Sequence, residues 1–293
     1  RRPPISTLFP YTTLFRSAGA GLGTIYRSAP VSEGAALAAL GRSARSEETF
    51  SWKGLSPRIR SRRLAGRFVI KEGSSRQPTR DELEAAALRR LNAEGSSWLP
   101  WDEEALAVVA RVRYAHRAGA LRLAKPELWA EATPGPLLSG PASPLLPYLD
   151  ASGGPILDAA ALRLALADAL DDENLGAGPG SSRLLDRDAP AFLVTPGGRR
   201  RRIAYPEAGD ASLALRIQEA FGLLDSPIVC GRPLVLELLS PADRPLQRSA
   251  DLRSFWGGAY RELRAGLQSR YPKHYWPEDP LKAEPGRGLK PRP

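Results

Sequence analysis

The chain has 293 residues, with no methionine, a single cysteine and two histidines. One thiol, Cys230, closes no internal disulfide and supplies none of the paired cysteines of the usual zinc sites, and it fits a reducing, cytoplasmic setting. Its plain role is that of a small buried hydrophobe beside a strand. Charge or proline interrupts every apolar run well short of the roughly 20 residues that a bilayer-spanning helix needs, so no membrane partner is expected. The glycine-rich loop ending in Gly-Lys-Ser/Thr that cradles nucleotide phosphates is missing, as is an acidic metal box behind an apolar strand. Asp102-Glu103-Glu104-Ala105 comes nearest to such a box. Trp98-Leu99-Pro100-Trp101 stand where its strand should be, so those four residues are expected to start a helix. His116 has no cysteine, serine or second histidine at a suggestive spacing, and Asp171 to Glu173 lack the oxygen spacing of a calcium loop. Neither ATP turnover nor a resident cofactor or metal is expected of these residues.

What is present is positive charge. The formal balance is +10, from 42 basic and 32 acidic residues, and such an excess suggests an anionic partner. Part of it is spurious. Residues 1–17, RRPPISTLFPYTTLFRS, end in the direct translation of a sequencing-adapter-like string and are set aside as a cloning or assembly scar, in preference to an arginine-bearing presequence. Without Arg1, Arg2 and Arg16 the balance of +10 falls to +7. The native N-terminus is then expected upstream.

Residues 18–46 are rich in Gly, Ala and Ser, and weak order is expected there apart from a short helix at Ala35 to Leu40. From Phe50 the pattern turns to strand: Phe50 and Trp52, a turn at Gly54 to Pro57, then Ile59 and Leu64 to Ile70, with a bulge at Gly66. Thr79 caps a helix to Leu91, with Glu82 completing a capping box. A second helix runs from Asp102 to His116, and its Arg111, Arg113 and Arg117 are expected on a solvated face. Pro134 to Pro155 is a linker by composition, Leu157 to Leu170 a helix, and Gly176 to Ser182 a flexible break. Phe192 to Tyr205 is a hairpin turning at Pro196-Gly197-Gly198, with Arg199, Arg200, Arg201 and Arg202 at its tip and on its returning strand. Ser212 to Phe221 is expected as an amphipathic helix closed by Gly222, and Leu234 to Leu239 as a buried strand. Ser249 caps a last helix to Arg270, and prolines 272, 277 and 280 then hold an aromatic strap in extended form.

The string SFWGGAYRELRAGLQSRYPKHYWPEDP at Ser254 to Pro280, with LALRIQEAFGL at Leu213 to Leu223 and LVLELLSPADRPLQ at Leu234 to Gln247, resembles the C-terminal end of HrpB-type ATP-dependent helicases, a bacterial branch of the DEAH/RHA group. The likeness is close from Asp188 to Pro293, moderate over Phe50 to Arg122, and patchy between. It implies an α+β chain: 18–76 the end of an OB-like β-barrel, 77–188 a helical region with Pro/Gly-rich linkers, and 189–293 a mixed α/β C-terminal domain with the extended strap. Two RecA-like motor domains, with ATP and Mg, would lie outside the chain and contact it. The implied partner is single-stranded nucleic acid, RNA first. In such a barrel Arg58, Arg60, Arg62 and Arg63 would flank the strand's path, since alternate residues share a face. The plainer role for that strand is a solvated edge. Arg199 to Arg202 are candidates for phosphate contact. Lys273 and His274, between Tyr271 and Tyr275, are candidates for base stacking, against the alternative that the rings pack within the fold. A second function class stays open, a docking module that stabilises the motor without touching nucleic acid.

Overall fold

The computed structural model describes residues 11–16, 24–30, 32–42, 44–65, 68–140 and 142–283. The chain divides into two units, one formed by residues up to Ala86 with Asp150–Ile156, the other by Ala87–Leu149 with everything after Ile156. The expected bulge at Gly66, residues 1–10 and 17 of the N-terminal string, and the last ten residues lie outside the described residues.

In the first unit β1 (Tyr11–Arg16) pairs antiparallel with β2 (Thr24–Pro30). Helix α1 (Glu33–Gly41) follows, with Ser32 Oγ accepting from Ala35 N at 3.3 Å. Weak order was the expectation for this Gly/Ala/Ser-rich stretch apart from a short helix at Ala35 to Leu40; α1 covers that helix, and β2 falls where no element was expected. Strands β3 (Arg45–Lys53), β4 (Ser56–Ala65) and β5 (Phe68–Arg76) form an antiparallel meander in which β4 is central. The described residues give this three-stranded sheet and no closed barrel. β4 is also not the edge strand considered as the plainer reading, because both its sides carry ladder partners.

The register slips twice along β5, where Arg60 faces Ser75 but Arg62 faces Glu72, and Arg63 faces Lys71 but Leu64 faces Val69. Each slip places an extra residue on β5, the arrangement of a β-bulge. Gly73 sits in the first of them because a Cβ there would come within 2.0 Å of Ser61 Oγ. Ile156 N donates to Leu55 O at 3.0 Å, so the excursion at Asp150–Ile156 is bonded to the turn between β3 and β4.

Helix α2 (Arg80–Glu94) opens with the expected capping box. Glu82 N donates to Thr79 Oγ1 at 3.3 Å, and Thr79 N donates to the Glu82 carboxylate at 2.8 Å. Arg76, the last residue of β5, clasps Glu82 at 2.7 Å and Glu48 at 2.7 Å. Those bonds from Arg76, then the one from Thr79 N, push the Glu82 carboxyl down to about 2.

The second unit contains α3 (Glu103–Arg117), where Asp102 accepts from Ala105 N at 2.7 Å as the N-cap. The acidic quartet is therefore a helix start. Of the arginines expected on a solvated face of α3, Arg117 is exposed, Arg113 is half-buried and Arg111 is buried. Arg111 is 5% exposed and donates to Ala189 O and to Asp186 at 2.5 Å each. Arg113 pairs with Glu207 at 3.0 Å, and Arg117 donates to Pro206 O at 3.1 Å and Gly209 O at 2.8 Å. The Pro/Gly-rich passage is likewise more than a linker. It contains α4 (Gly135–Ser139) and a 3-10 turn at Leu146–Tyr148, and it buries Leu137, Leu138 and Leu145.

Helix α5 (Ala159–Asp171), capped by Asp158, buries Leu162, Leu166 and Leu170. The expected break then resolves into a tight return to α6 (Ser181–Asp188). Ser182 donates from N and Oγ to Asp171, both at 2.7 Å. A Cβ on Gly176 would meet Leu170 O at 2.2 Å, so the chain passes there only with glycine.

Strands β6 (Phe192–Val194) and β7 (Arg200–Arg202) make the expected hairpin. Next comes a correction. Ser212 to Phe221 is not a helix but strand β8 (Ser212–Arg216) followed by a 3-10 turn at Ile217–Glu219. After the small hairpin β9 (Ile228–Val229) and β10 (Arg232–Pro233), strand β11 (Val235–Leu239) lies parallel to β8 and antiparallel to β12 (Pro245–Ser249). Buried Leu236 and Leu238 face the core from this central strand, as the apolar run implied.

The last helix is two: α7 (Leu252–Gly257), capped by Asp251 and not Ser249, and α8 (Ala259–Arg270). The pair still brings Phe221, Phe255, Trp256 and Tyr260 into one aromatic cluster, with Trp256 and Tyr260 edge to face at 5.3 Å. Burying such rings is a main source of core stability.

Candidate nucleic-acid interface

β4 exposes its arginines by alternation. Arg58, Arg60 and Arg62 stand on one face of the sheet at intervals of roughly 6.6–6.8 Å, two residues of strand rise. Arg63 stands on the other face, where its guanidinium donates to Gly41 O at 3.3 Å. Three of the four predicted residues are thus together, and the fourth belongs to the packing of α1. Ladder partners place Thr49 beside Arg60 and Ser51 beside Arg58. Lys53, at the end of β3, joins them, and the face forms a groove of about 480 Å³. Lys53, Arg58 and Arg60 make no ion pair with any described residue, and Arg62 reaches only Glu72 at 3.8 Å. Lys53, Thr49 and Ser51 were missed by sequence reasoning, although β3–β4 pairing through the Gly54 turn would have found them.

Arg199 to Arg202 are split by the same alternation, with a different result. Arg199 and Arg201 converge on Glu219, whose side chain is 4% exposed; Arg199 bonds it at 3.2 Å, and Arg201 grips both carboxylate oxygens. That bond raises the Arg201 guanidinium pKa further. Arg202 pairs with Glu103 at 2.9 Å, and Arg200 and Arg202 lie over the Phe192 ring at 4.3 and 4.7 Å. The densest cationic run of the sequence therefore does not form one patch.

Lys273 is exposed and His274 half-buried in the strap. Tyr271 meets His274 edge-on at 6.1 Å and donates its hydroxyl to Ser240 Oγ at 3.2 Å. Trp276, 3% exposed, donates to Tyr271 O at 3.1 Å. Tyr260 Oη donates to Pro277 O at 2.8 Å, Arg264 Nε to Trp276 O at 3.1 Å and Gly222 N to Pro280 O at 3.1 Å. The backbone and the Trp276 ring of the strap are thus engaged with their own unit.

Among the described residues no group of His, Cys, Asp or Glu is arranged to hold a metal, and no helix is long and apolar enough to cross a membrane. Cys230 is buried and free, and burial pushes its thiol up.

Residues 160–280 match the family model described as ATP-dependent helicase C-terminal, HrpB_C. The chain is an HrpB-type C-terminal region. It is 37% identical over 252 residues to the ATP-dependent RNA helicase HrpB of Escherichia coli K12, an alignment spanning 83% of this chain and 29% of that protein. Two solved structures are similar over most of the chain. The crystal structure of the E. coli DExH-box NTPase HrpB matches with a TM-score of 0.60 and 32% identity, over 94% of this chain and 33% of that one. That of the E. coli DEAH/RHA helicase HrpB matches with a TM-score of 0.52 and 33% identity, over 80% and 29%. The HrpB-type region thus spans under a third of the curated relative it matches.

Proposed function

We propose that this region is the accessory C-terminal part of a cytoplasmic ATP-dependent helicase directed to RNA, and that it holds single-stranded nucleic acid for a motor outside the chain. ATP and Mg would belong to that motor, which would also contact this region. The reading rests on one observation: Lys53, Arg58 and Arg60 stand on an open sheet face where no carboxylate among the described residues neutralises them. A row of cations at two-residue strand spacing suits the successive phosphates of an extended strand, and the hydroxyl of Thr49 adds a neutral donor to phosphate oxygens. Such contacts give strong salt dependence and little sequence preference, because base edges are not read. Arg199 to Arg202 stand outside this grip: Glu219 and Glu103 already hold three of them, and Arg200 lies over the Phe192 ring.

The test is a salt titration of labelled oligouridylate binding to the chain and to the triple variant Arg58→Gln, Arg60→Gln, Arg62→Gln. Each lost phosphate contact on a single strand lowers the slope of log affinity against log salt by about 0.7, so a total drop of about 2 is expected. Equal slopes for both proteins would reject the reading and leave the docking module, in which no nucleic acid is touched.

A further inference from the structure

Strand β6 has a partner on one side only. Thr195 N donates to Arg199 O at 2.8 Å and Ile203 N to Ala191 O at 3.0 Å, so residues 191, 193 and 195 turn their backbone groups toward β7. By antiparallel alternation the N–H and C=O of Phe192 and Val194 point the opposite way. Among the described residues nothing bonds to them. An unpaired strand edge of this kind is a template for another strand.

The surroundings select what could add there. A groove of about 480 Å³ lies against this edge, floored by Ala107 and Val108 of α3 and by Pro190 and Phe192. Val194 beside it is 62% exposed. Four guanidiniums line the groove, but three are already neutralised: Arg111 by Asp186 at 2.5 Å, Arg163 by Glu104 at 3.4 Å, and Arg202 by Glu103 at 2.9 Å. Only Arg200 has no carboxylate among the described residues, and its guanidinium is held over Phe192 at 4.3 Å. A polyanion entering here would meet Glu104 and Asp186 along the wall, and like charge across an interface is costly. A polypeptide meets no such conflict. Its main chain would satisfy the orphan groups of Phe192 and Val194, its residue beside Phe192 would lie under Arg200, and its residue beside Val194 would cover exposed apolar surface.

We propose that β6 is a docking edge for an extended segment of a partner protein that carries an acidic side chain two residues from an apolar one. The acid pairs with Arg200, and the apolar side chain packs on Val194. This surface is independent of the β4 groove, so either assignment can fail without the other.

The probe is the fluorescein-labelled peptide Thr-Glu-Thr-Val-Thr-Glu-Thr, titrated by anisotropy against the 293-residue chain, with its Lys-for-Glu counterpart as control. Val194→Pro removes an outward N–H without disturbing a bond to β7, and Arg200→Glu reverses the one free charge. Each should weaken the acidic peptide about tenfold, the scale of one hydrogen bond or charge contact. Both should leave oligouridylate affinity unchanged, and the lysine peptide should not bind. Equal binding of the acidic peptide by the wild type and Arg200→Glu, or no saturable binding at all, would overturn the proposal. So would a loss of oligouridylate affinity in Arg200→Glu with the peptide unaffected, which would give the groove to nucleic acid. Should Val194→Pro lower the melting temperature, Arg200→Glu, on an exposed side chain, carries the decision.

Discussion

β4 and β7 each carry a run of arginines, and each sorts them to alternate faces, but what waits on those faces differs. On β7 one face meets buried Glu219 and the other meets Phe192 and Glu103. On β4 one face offers Arg63 the end of α1, while Arg58 and Arg60 of the other face meet no carboxylate among the described residues. Cation density in a sequence therefore does not measure a cationic surface; the carboxylates that tertiary packing brings alongside decide how much charge is left for a partner. By that measure the sparser run on β4 is the stronger candidate for phosphate, and the tetra-arginine run is largely part of the fold.

The comparison can be broken most forcefully at Glu219. Arg201→Ala leaves that carboxylate buried with only Arg199, and a loss of about 2–4 kcal/mol is expected by denaturant unfolding. That is below the figure for a fully buried pair, because Arg201 is itself over a third exposed. A loss within about 0.5 kcal/mol, the ordinary range for a surface change, would mean that the pair is not structural. A finer comparison sets Arg60→Gln against Arg200→Gln in oligouridylate binding. The first should lower the salt slope by about 0.7 and the second should leave it unchanged; equal effects would erase the distinction between the strands. The smallest effect concerns the Arg76 clasp that ties β5 to α2. Glu82 has its folded carboxyl pushed down to about 2 from 4.5, so its contribution is fully present above pH 4.5 and is lost as pH falls toward 2. The protection of the Thr79 and Glu82 amides from hydrogen exchange, taken relative to the intrinsic rate at each pH, should fall across that window in the wild type and much less in Glu82→Gln, whose amide does not titrate there.

Where a local signal had a local cause, the sequence was readable. Thr79 with Glu82, and Asp102, marked helix starts because caps act within three residues. The arginine hairpin was legible from Pro196-Gly197-Gly198 between two strand-like runs. Ser212 to Phe221 misled because Leu213, Ile217 and Phe221 recur every four residues while Leu213 and Leu215 also alternate. The tie is broken by pairing with Val235–Leu239, which no window around residue 215 contains. Helix α7 is capped by Asp251 and stops at Gly257, yet the aromatic spacing from Trp256 to Tyr260 survives the break, so its periodicity concealed it. For the candidate interface, the alternation of Arg58, Arg60 and Arg62 was visible and the neutralising partners were not. Glu219 lies 18 residues from Arg201, inside the stretch whose secondary structure was misread.

The parallel pairing of β8 with β11 also constrains how the molecule assembles. β11 and β12 are joined by a short turn and can zip as a hairpin, whereas β8 has to wait for a partner that follows after an intervening crossover, and closing that loop is entropically slower. As the chain leaves the ribosome, Leu213 and Leu215 emerge before anything exists for them to pair with. Residues 212–216 are accordingly the stretch of this unit most in need of protection from premature association during synthesis.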